Sequence, residues 1–512
     1  MLDSLKPEAD GRLENGERPE INDLRSAIAV LQRHQGQYLE TDHPVDPIAE
    51  LAGVYRKVGA GGTVARPTRI GPAMMFNSVK GYPDSRVLVG VLASRERASL
   101  LLGADRERLG IVLADAVTNA VPPVMVGRDQ APCQEVVYRA EDEGFDLRKL
   151  LPAPTNTEED AGPYFCLGLV LGSSMDGTKS DVTIHRLCVQ SRDEMTIFFA
   201  ASRHIDAFRQ EAEAQGKPLP ITINMGLDPA IQLGACFEAP TTPFGYDELG
   251  VAGALRGEGV HLVDALTVKQ KSIARAEMVI EAEILPHVRM AEDRNTKTGK
   301  AMPEFPGYNG PANQSLPVIK VKAITTRRNP ILQTLVGPGE EHVSLAGIPT
   351  EGSIYGSVGR AMPGLLKNVY SHSAGGGKFL AILQVQKRSA LDEGRQRQAA
   401  VIALAAYREL KNVIIVDEDV DIFDTDDVLW AMQTRYQGDS CTMFLTGLPG
   451  HPLDPSQIPE YSPTIRGKAI TTKTVFDCTV PFSLKKHFER AQFRDVDPHP
   501  WAPSLFPEPA KA

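Results

Sequence analysis

Apolar residues change their spacing twice along this chain, and the changes divide it. Leu24, Ile28 and Leu31 recur at helical intervals, and Asn22 ahead of them is a residue type that caps a helix by accepting from its first free N–H groups. Pro47 suits the first turn of a second helix through Ala49, Leu51 and Tyr55, because a proline there forfeits no hydrogen bond. Residues 87–92 form an unbroken apolar run, the pattern of a strand buried on both faces. Helical spacing resumes over 94–102 and 105–119. An α/β region over residues 21–130 is therefore expected, after a polar, acidic leader over 1–20.

From about Tyr164 the period shortens to that of strands. Residues 166–172, 182–190 and 195–200 alternate or run apolar, with the polar turn 191–194 between the last two, and 277–285 and 316–326 add further strands. This predicts a β-rich central domain, residues 131–340, split between two chain segments. The segment from Gly172 to Ser180 resembles a phosphate-binding P-loop with one residue inserted. A strand follows it where a P-loop needs a helix, so it reads as a hairpin turn. The Gly- and Pro-rich stretch 298–314 is too long for a hairpin, and long structured loops often carry function. Over 341–512 the chain returns to α/β. It has a helix over 392–410 with Ala399, Ile402, Ala403 and Ala406 on one side, a buried strand at 413–416, and a next helix capped by Thr425. The fold class is mixed α/β (α+β). The Pro-rich tail after Asp497 is expected to wrap a surface or a neighbouring subunit.

Composition narrows the function. The net charge of −10 argues against a nucleic-acid surface. No apolar run reaches the roughly 18 residues that span a bilayer, so no membrane is expected, and the polar N-terminus lacks the apolar stretch of a secretory signal. The six cysteines are scattered without a C-x-x-C pair, which fits a reducing cytoplasm.

The chemistry concentrates in four segments: Asp181-Val-Thr-Ile-His-Arg186, Ser202-Arg-His204, Tyr246-Asp-Glu248 leading into Ala252-Gly-Ala-Leu255, and Pro303-Glu-Phe-Pro-Gly-Tyr308. Asp181, His204 and Glu248 offer two oxygens and one nitrogen, a set that suits Mn²⁺ or Mg²⁺ better than zinc. Spacing alone does not bring them together; a lone His or Glu is more often a surface or paired residue. Arg186 lies mid-strand with Ile184 and Cys188 on its face, and a buried arginine there needs a carboxylate partner. Strict alternation would put Asp181 and Arg186 on opposite faces, so one site can use both only at a bulge or a flared strand end. Glu304 sits in a Pro-flanked apolar loop that would raise its pKa, the direction a proton donor near neutral pH requires.

The order and context of these segments, from about residue 20 to the C-terminus, resemble the UbiD-type decarboxylases. The resemblance implies a central split β-barrel that binds prenylated FMN, with Mn²⁺ held by Asp181, His204 and Glu248, and K⁺ as a further ion. It also implies that Arg186 contacts cofactor and substrate carboxylate, and that Glu304 returns the proton after CO2 leaves. Arg203, Lys378 and Lys411 become cofactor-binding residues. Two departures stand out. The first metal ligand is usually Asn and here is Asp181. A glutamate common five residues before the proton donor is here Gly299, so Glu292 or Asp293 must substitute, or one glutamate suffices. Thr325-Thr-Arg-Arg-Asn-Pro330, Val336-Gly-Pro-Gly-Glu-Glu-His342, Gly375-Gly-Gly-Lys378 and His451-Pro-Leu-Asp-Pro455 look closest to the protocatechuate (3,4-dihydroxybenzoate) decarboxylase branch. His342, His451 and Arg327 are then expected in the substrate pocket. The implied activity is reversible, non-oxidative decarboxylation of a hydroxylated benzoate through a covalent substrate–cofactor adduct. Its alternatives are a heteroaromatic acid (furan, pyrrole or indole carboxylate) or a non-catalytic flavin- or phosphate-binding protein. The implied partners are a small aromatic acid, CO2, a prenyl-flavin synthase and further copies of this chain, as a dimer or hexamer.

Overall fold

The computed structural model describes residues 20–199, 204–465, 467 and 469–505. Its centre is a closed barrel. The strands Met278–Met290, Leu219–Met225, Tyr164–Ser173, Ser180–Val189, Glu194–Ile197 and Leu316–Thr326 neighbour one another in that order, and the last pairs back to the first. Every pairing in the ring is antiparallel. Alternation along the strands sends Leu187, Met195, Ile197, Ile221, Ile223, Ile280 and Ile319 into one buried cluster. The helix His204–Ala214 lays Ile205, Phe208 and Ala212 onto the same cluster. Each such fully buried side chain contributes about 1.5–3 kcal/mol relative to exposure. The expected split β-barrel is therefore present, and Gly172 to Ser180 does form a hairpin turn, with Asp176 accepting from Thr178 N–H at 2.9 Å.

The N-terminal region carries a four-stranded sheet, Tyr38–Thr41, Ala73–Phe76, Arg86–Val89 and Ile331–Thr334. The last strand enters from beyond the barrel and pairs parallel to Arg86–Val89, so the two regions are interleaved rather than strung in sequence. The C-terminal sheet runs Leu366–Ser371, Leu380–Val385, Asn412–Asp417, Ile470–Cys478, Thr442–Pro449. The helix Glu340–Ala361 bridges them, packing on both Leu109–Thr118 and Leu366–Ser371. Among the described residues no helix is long and apolar enough to cross a membrane.

Several helix boundaries differ from the sequence expectation, each for a local reason. Asp23, not Asn22, caps the first helix: it accepts from Ser26 N–H at 2.8 Å and is held by Arg327 at 2.8 Å. Pro47 lies outside the second helix, Glu50–Val58, because Ile48 N–H bonds Asp46 in a turn and Ala49 takes a positive φ of 59°. Asp424, not Thr425, caps Thr425–Arg435. The helix expected over 392–410 spans only Arg395–Ala406; Gly394 at φ 85° precedes it and extended Tyr407 ends it.

Candidate active site

Two acid clusters lie along one barrel strand, Ser180–Val189. At its start, Asp181, His204 and Glu248 each offer a ligand atom within 4.8 Å of the others. Asp181 Oδ1 faces His204 Nδ1 at 3.1 Å, and Asp181 Oδ2 accepts from Thr183 Oγ1 at 2.9 Å. Burial, reinforced by the Asp181 carboxylate, pushes Glu248 up to about 9. Glu248 Oε2 is buried without a hydrogen-bond partner among the described residues. An unpartnered buried carboxylate oxygen, a second carboxylate and an imidazole form a donor set lacking only positive charge, and it fits a hard divalent cation.

Five residues on, Arg186 is clamped by two carboxylates. Its Nε and Nη2 donate to Glu292 at 2.9 and 3.0 Å, and its Nη1 donates to Glu304. The guanidinium also lies 4.1 Å from the Phe198 ring centroid. Glu292 is saturated further by Tyr164 Oη and Asn313 N–H, each at 3.1 Å. Glu304 makes fewer bonds; burial raises its pKa against the opposing pull of Arg186. Glu292 therefore takes the second place beside Arg186 that Gly299 vacates. Asp293 does not: it accepts from Gly299 N–H and Gln314 and braces the loop.

The strand's register explains how both clusters serve one region. Ser180–Val189 pairs with Glu194–Ile197 only through Leu187–Val189, with one further bond from Phe198 N–H to the Arg186 carbonyl at 3.4 Å, so the stretch from Asp181 to His185 runs past the end of that ladder. On the other side a bulge sets Cys166 and Leu167 opposite Arg186. Side chains from both faces, Thr183 through Arg186, consequently line a single cavity of about 190 Å³. Thr183, bonded to Asp181, connects the triad to that cavity.

Glu304, Phe305, His342, Lys378, Tyr407 and His451 line its other walls. Phe305 packs edge-on to Phe379 at 4.9 Å and to His451 at 4.6 Å. Burial, with the Lys378 ammonium adding to it, pushes His342 down to about 4, so it is a neutral base, and its Nδ1 has no partner among the described residues. Lys378 donates to Glu409 at 2.8 Å.

Two expected site residues stand elsewhere. Arg327 is outside the cavity lining; it is held by Asp23 at 2.8 Å and Glu277 at 3.4 Å, where it ties the first helix to the barrel. Lys411 is also outside the lining, bonded to Asp454 at 2.6 Å and Ser456 at 2.7 Å, so it braces the loop that carries His451. Arg203 lies outside the described residues. Sequence reasoning missed Tyr164, Phe198, Tyr407 and Glu409; none carries a local motif, and only the fold gathers them.

The chain matches three domains of the 3-octaprenyl-4-hydroxybenzoate carboxy-lyases: the N-terminal domain over residues 31–117, the Rift-related domain over 124–340 and the C-terminal domain over 343–478. It belongs to this UbiD family of carboxy-lyases. A gallate decarboxylase of Lactiplantibacillus plantarum is 57% identical over 476 residues, covering 93% of this chain and 97% of the relative. The apo structure of a 3,4-dihydroxybenzoic acid decarboxylase from Enterobacter cloacae superposes with a TM-score of 0.91 at 69% identity, covering 95% of this chain and 100% of the other. An evolved dimeric form of a UbiD-class enzyme from Pelotomaculum thermopropionicum, in complex with prFMN, superposes with a TM-score of 0.78 at 31% identity, covering 92% and 97%.

Proposed function

We propose that this chain decarboxylates a hydroxylated benzoic acid such as 3,4-dihydroxybenzoate or gallate, with prenylated FMN and Mn²⁺ bound. The observation that carries the reading is Glu304, a buried carboxyl of raised pKa that faces the cavity and is bonded to Arg186. The likeness to the gallate and 3,4-dihydroxybenzoic acid decarboxylases supports the substrate class. When bound, the prenylated flavin supplies an electrophilic centre that takes up the electron pair left behind by CO2.

The rest is the work of this chain's own residues. Asp181, His204 and Glu248 would hold the Mn²⁺, which would supply positive charge for an anionic cofactor group; K⁺ belongs to the same reading through the family. Arg186, its fork fixed by Glu292, binds the substrate carboxylate in one orientation. Glu304 carries a proton to the ring carbon that has lost CO2, a transfer worth about 10²–10⁴ in rate. Phe305 and its aromatic neighbours exclude water from the ring. His342, neutral and with Nδ1 free, accepts from a ring hydroxyl. The free cysteines fit a reducing cytoplasm; a prenyl-flavin synthase supplies the cofactor, and the assembly is a homo-oligomer.

The test is co-expression with a prenyl-flavin synthase, then CO2 release from a panel of 3,4-dihydroxybenzoate, gallate, 4-hydroxybenzoate, furan-2-carboxylate and pyrrole-2-carboxylate. Turnover is expected with the dihydroxy and trihydroxy acids. Release from the heteroaromatic acids alone, or from none of the panel, would overturn the reading.

A further inference from the structure

The hairpin that resembles a P-loop offers an anion no helix, yet it carries a lysine that the chemistry above leaves unused. Lys179 N–H donates to Ser174 Oγ at 3.1 Å, and its carbonyl accepts from Ser174 N–H at 2.9 Å, so its backbone is fixed at the entrance to the strand Ser180–Val189. It stands two residues before Asp181, and alternation along a strand puts such residues on one face. The ammonium of this exposed lysine lies 4.2 Å from the centroid of the Phe244 ring. The stem runs along Gly245, where a Cβ would stand 3.7 Å from it. Phe244 in turn is edge-on to the His204 imidazole at 5.2 Å and rests on buried Phe208 at 5.5 Å. One aromatic ring therefore touches both the lysine and a member of the metal triad. Among the described residues Lys179 forms no ion pair, with Asp181 and Glu248 or with any other acid.

Charge decides what that lysine is for. Two ionised carboxylates neutralise the divalent ion they hold, whereas a phosphate monoester brings a further charge of about −1.5 to −2. We propose that Lys179 is a cofactor-binding residue: from its seat on Phe244 its ammonium reaches the flavin phosphate held at the Asp181, His204 and Glu248 cation, and supplies a positive charge that the triad and its ion do not. The inference deepens the function proposed above and rests on it for the flavin cofactor. A lysine suits the task because its stem is flexible and its ammonium meets a phosphate oxygen without a fixed fork geometry. The ring holds an exposed ammonium weakly, so leaving it costs less than a charge-assisted bond to phosphate returns.

Calorimetric titration of the Mn²⁺-loaded protein with FMN and with riboflavin, which lacks only the phosphate, tests this without turnover. Lys179→Met keeps an unbranched stem and removes the charge. It is expected to weaken FMN about tenfold and to leave riboflavin within about twofold. Lys179→Arg, which keeps a cation, should hold FMN within about threefold of the wild type. A hairpin that had merely lost its shape would weaken both flavins and diminish the rise in melting temperature on adding Mn²⁺, a rise that Lys179→Met should retain. FMN affinity unchanged in Lys179→Met, or an equal loss for riboflavin, would overturn the proposal. Inorganic phosphate should bind far more weakly than FMN; equal affinity would mark a site for free phosphate and overturn the assignment to the flavin. A wild type that does not distinguish FMN from riboflavin would sink the cofactor reading itself, whereas failure to release CO2 from any hydroxybenzoate would strike the substrate reading alone.

Discussion

Two carboxylates meet at each of two points along one strand, but among the described residues only one point carries its own counter-charge. Around Arg186, Glu292 and Glu304 face a guanidinium built into the chain. Around His204, among the described residues, Asp181 and Glu248 face an imidazole and no cation, and burial, reinforced by Asp181, drives Glu248 up to about 9. Burying like charges without compensation is costly, so the first site has its counter-charge in the chain while the second fits the cation proposed for it. The difference supports the proposed division, in which the Arg186 cluster does the chemistry and the Asp181 cluster holds the cation. The compensated site leaves one acid, Glu304, with capacity to exchange a proton. The uncompensated site has every donor aimed at one point.

The sharpest way to break this division is at Glu304. Glu304→Gln keeps a hydrogen bond to Arg186 but cannot give up a proton, so turnover should fall about 10²–10⁴-fold. Ring H/D exchange on the product should vanish while cofactor binding persists. Because burial raises Glu304, wild-type activity should fall as pH rises through its folded pKa, where the acid becomes a carboxylate. Exchange at the wild-type rate in the variant would remove Glu304 from the role. Next comes the counter-charge. Arg186→Leu strands two buried acids, and chemical denaturation should show a loss of roughly 3–5 kcal/mol. A loss below about 1 kcal/mol would mean that Tyr164 and Asn313 already satisfy Glu292 without the arginine.

How far the sequence anticipated this comparison depends on whether a residue's role is local. The barrel strand Leu316–Thr326 was legible to the residue, because its alternation reflects one buried and one covered face. Asp181, His204 and Glu248 were legible as a set only through resemblance to a family, since convergence across 68 positions leaves no periodic trace. The choice of Glu292 over Asp293 was not legible. Both follow the strand Met278–Met290, and only its path decides which one meets Arg186. The partners of Arg327 and Lys411 were not legible for the same reason: each is a cation in a suggestive segment whose acid, Asp23 or Asp454, is distant in the chain. Tyr407 and Glu409 were hidden inside what read as a continuous helix. That helix ends at Ala406, and its early end is what lets Tyr407 reach the cavity wall, with Glu409 bonded behind it.

A third buried group sharpens the contrast from the basic side. His342 sits beside the Lys378 cation, and its folded pKa of about 4 lies below the ordinary 6.5. Its contribution to stability is therefore full above pH 6.5 and is lost as pH falls through 4, up to about 3 kcal/mol in all. Urea denaturation of wild type and His342→Gln at pH 7 and pH 4.5 should show the variant losing less on acidification. Parallel losses would put His342 in contact with solvent or a counter-charge. At the cation-seeking end, Mn²⁺ at a hundredfold excess over its Kd should stabilise the protein by about 2.7 kcal/mol. Glu248→Ala should abolish that shift in melting temperature, whereas Glu304→Gln should retain it. No shift with Mn²⁺ in the wild type would contradict a cation site.

The smallest effect tests whether the compensated site is full. Gly299 is exposed, has a φ of 73°, and has open space where a Cβ would stand. A glutamate introduced there by Gly299→Glu would point to solvent, away from an arginine whose fork Glu292 already occupies on two nitrogens. The left-handed backbone makes the change cost about 1 kcal/mol, and kcat/KM should stay within about twofold. In the Glu292→Gln background the same change should restore nothing, because the loop that holds position 299 is pinned by Asp293 accepting its N–H at 2.9 Å. Recovery of activity in that double variant would show that the loop can swing its new carboxylate onto Arg186. The pairing seen here would then be one of two interchangeable arrangements rather than a fixed choice made by the strand.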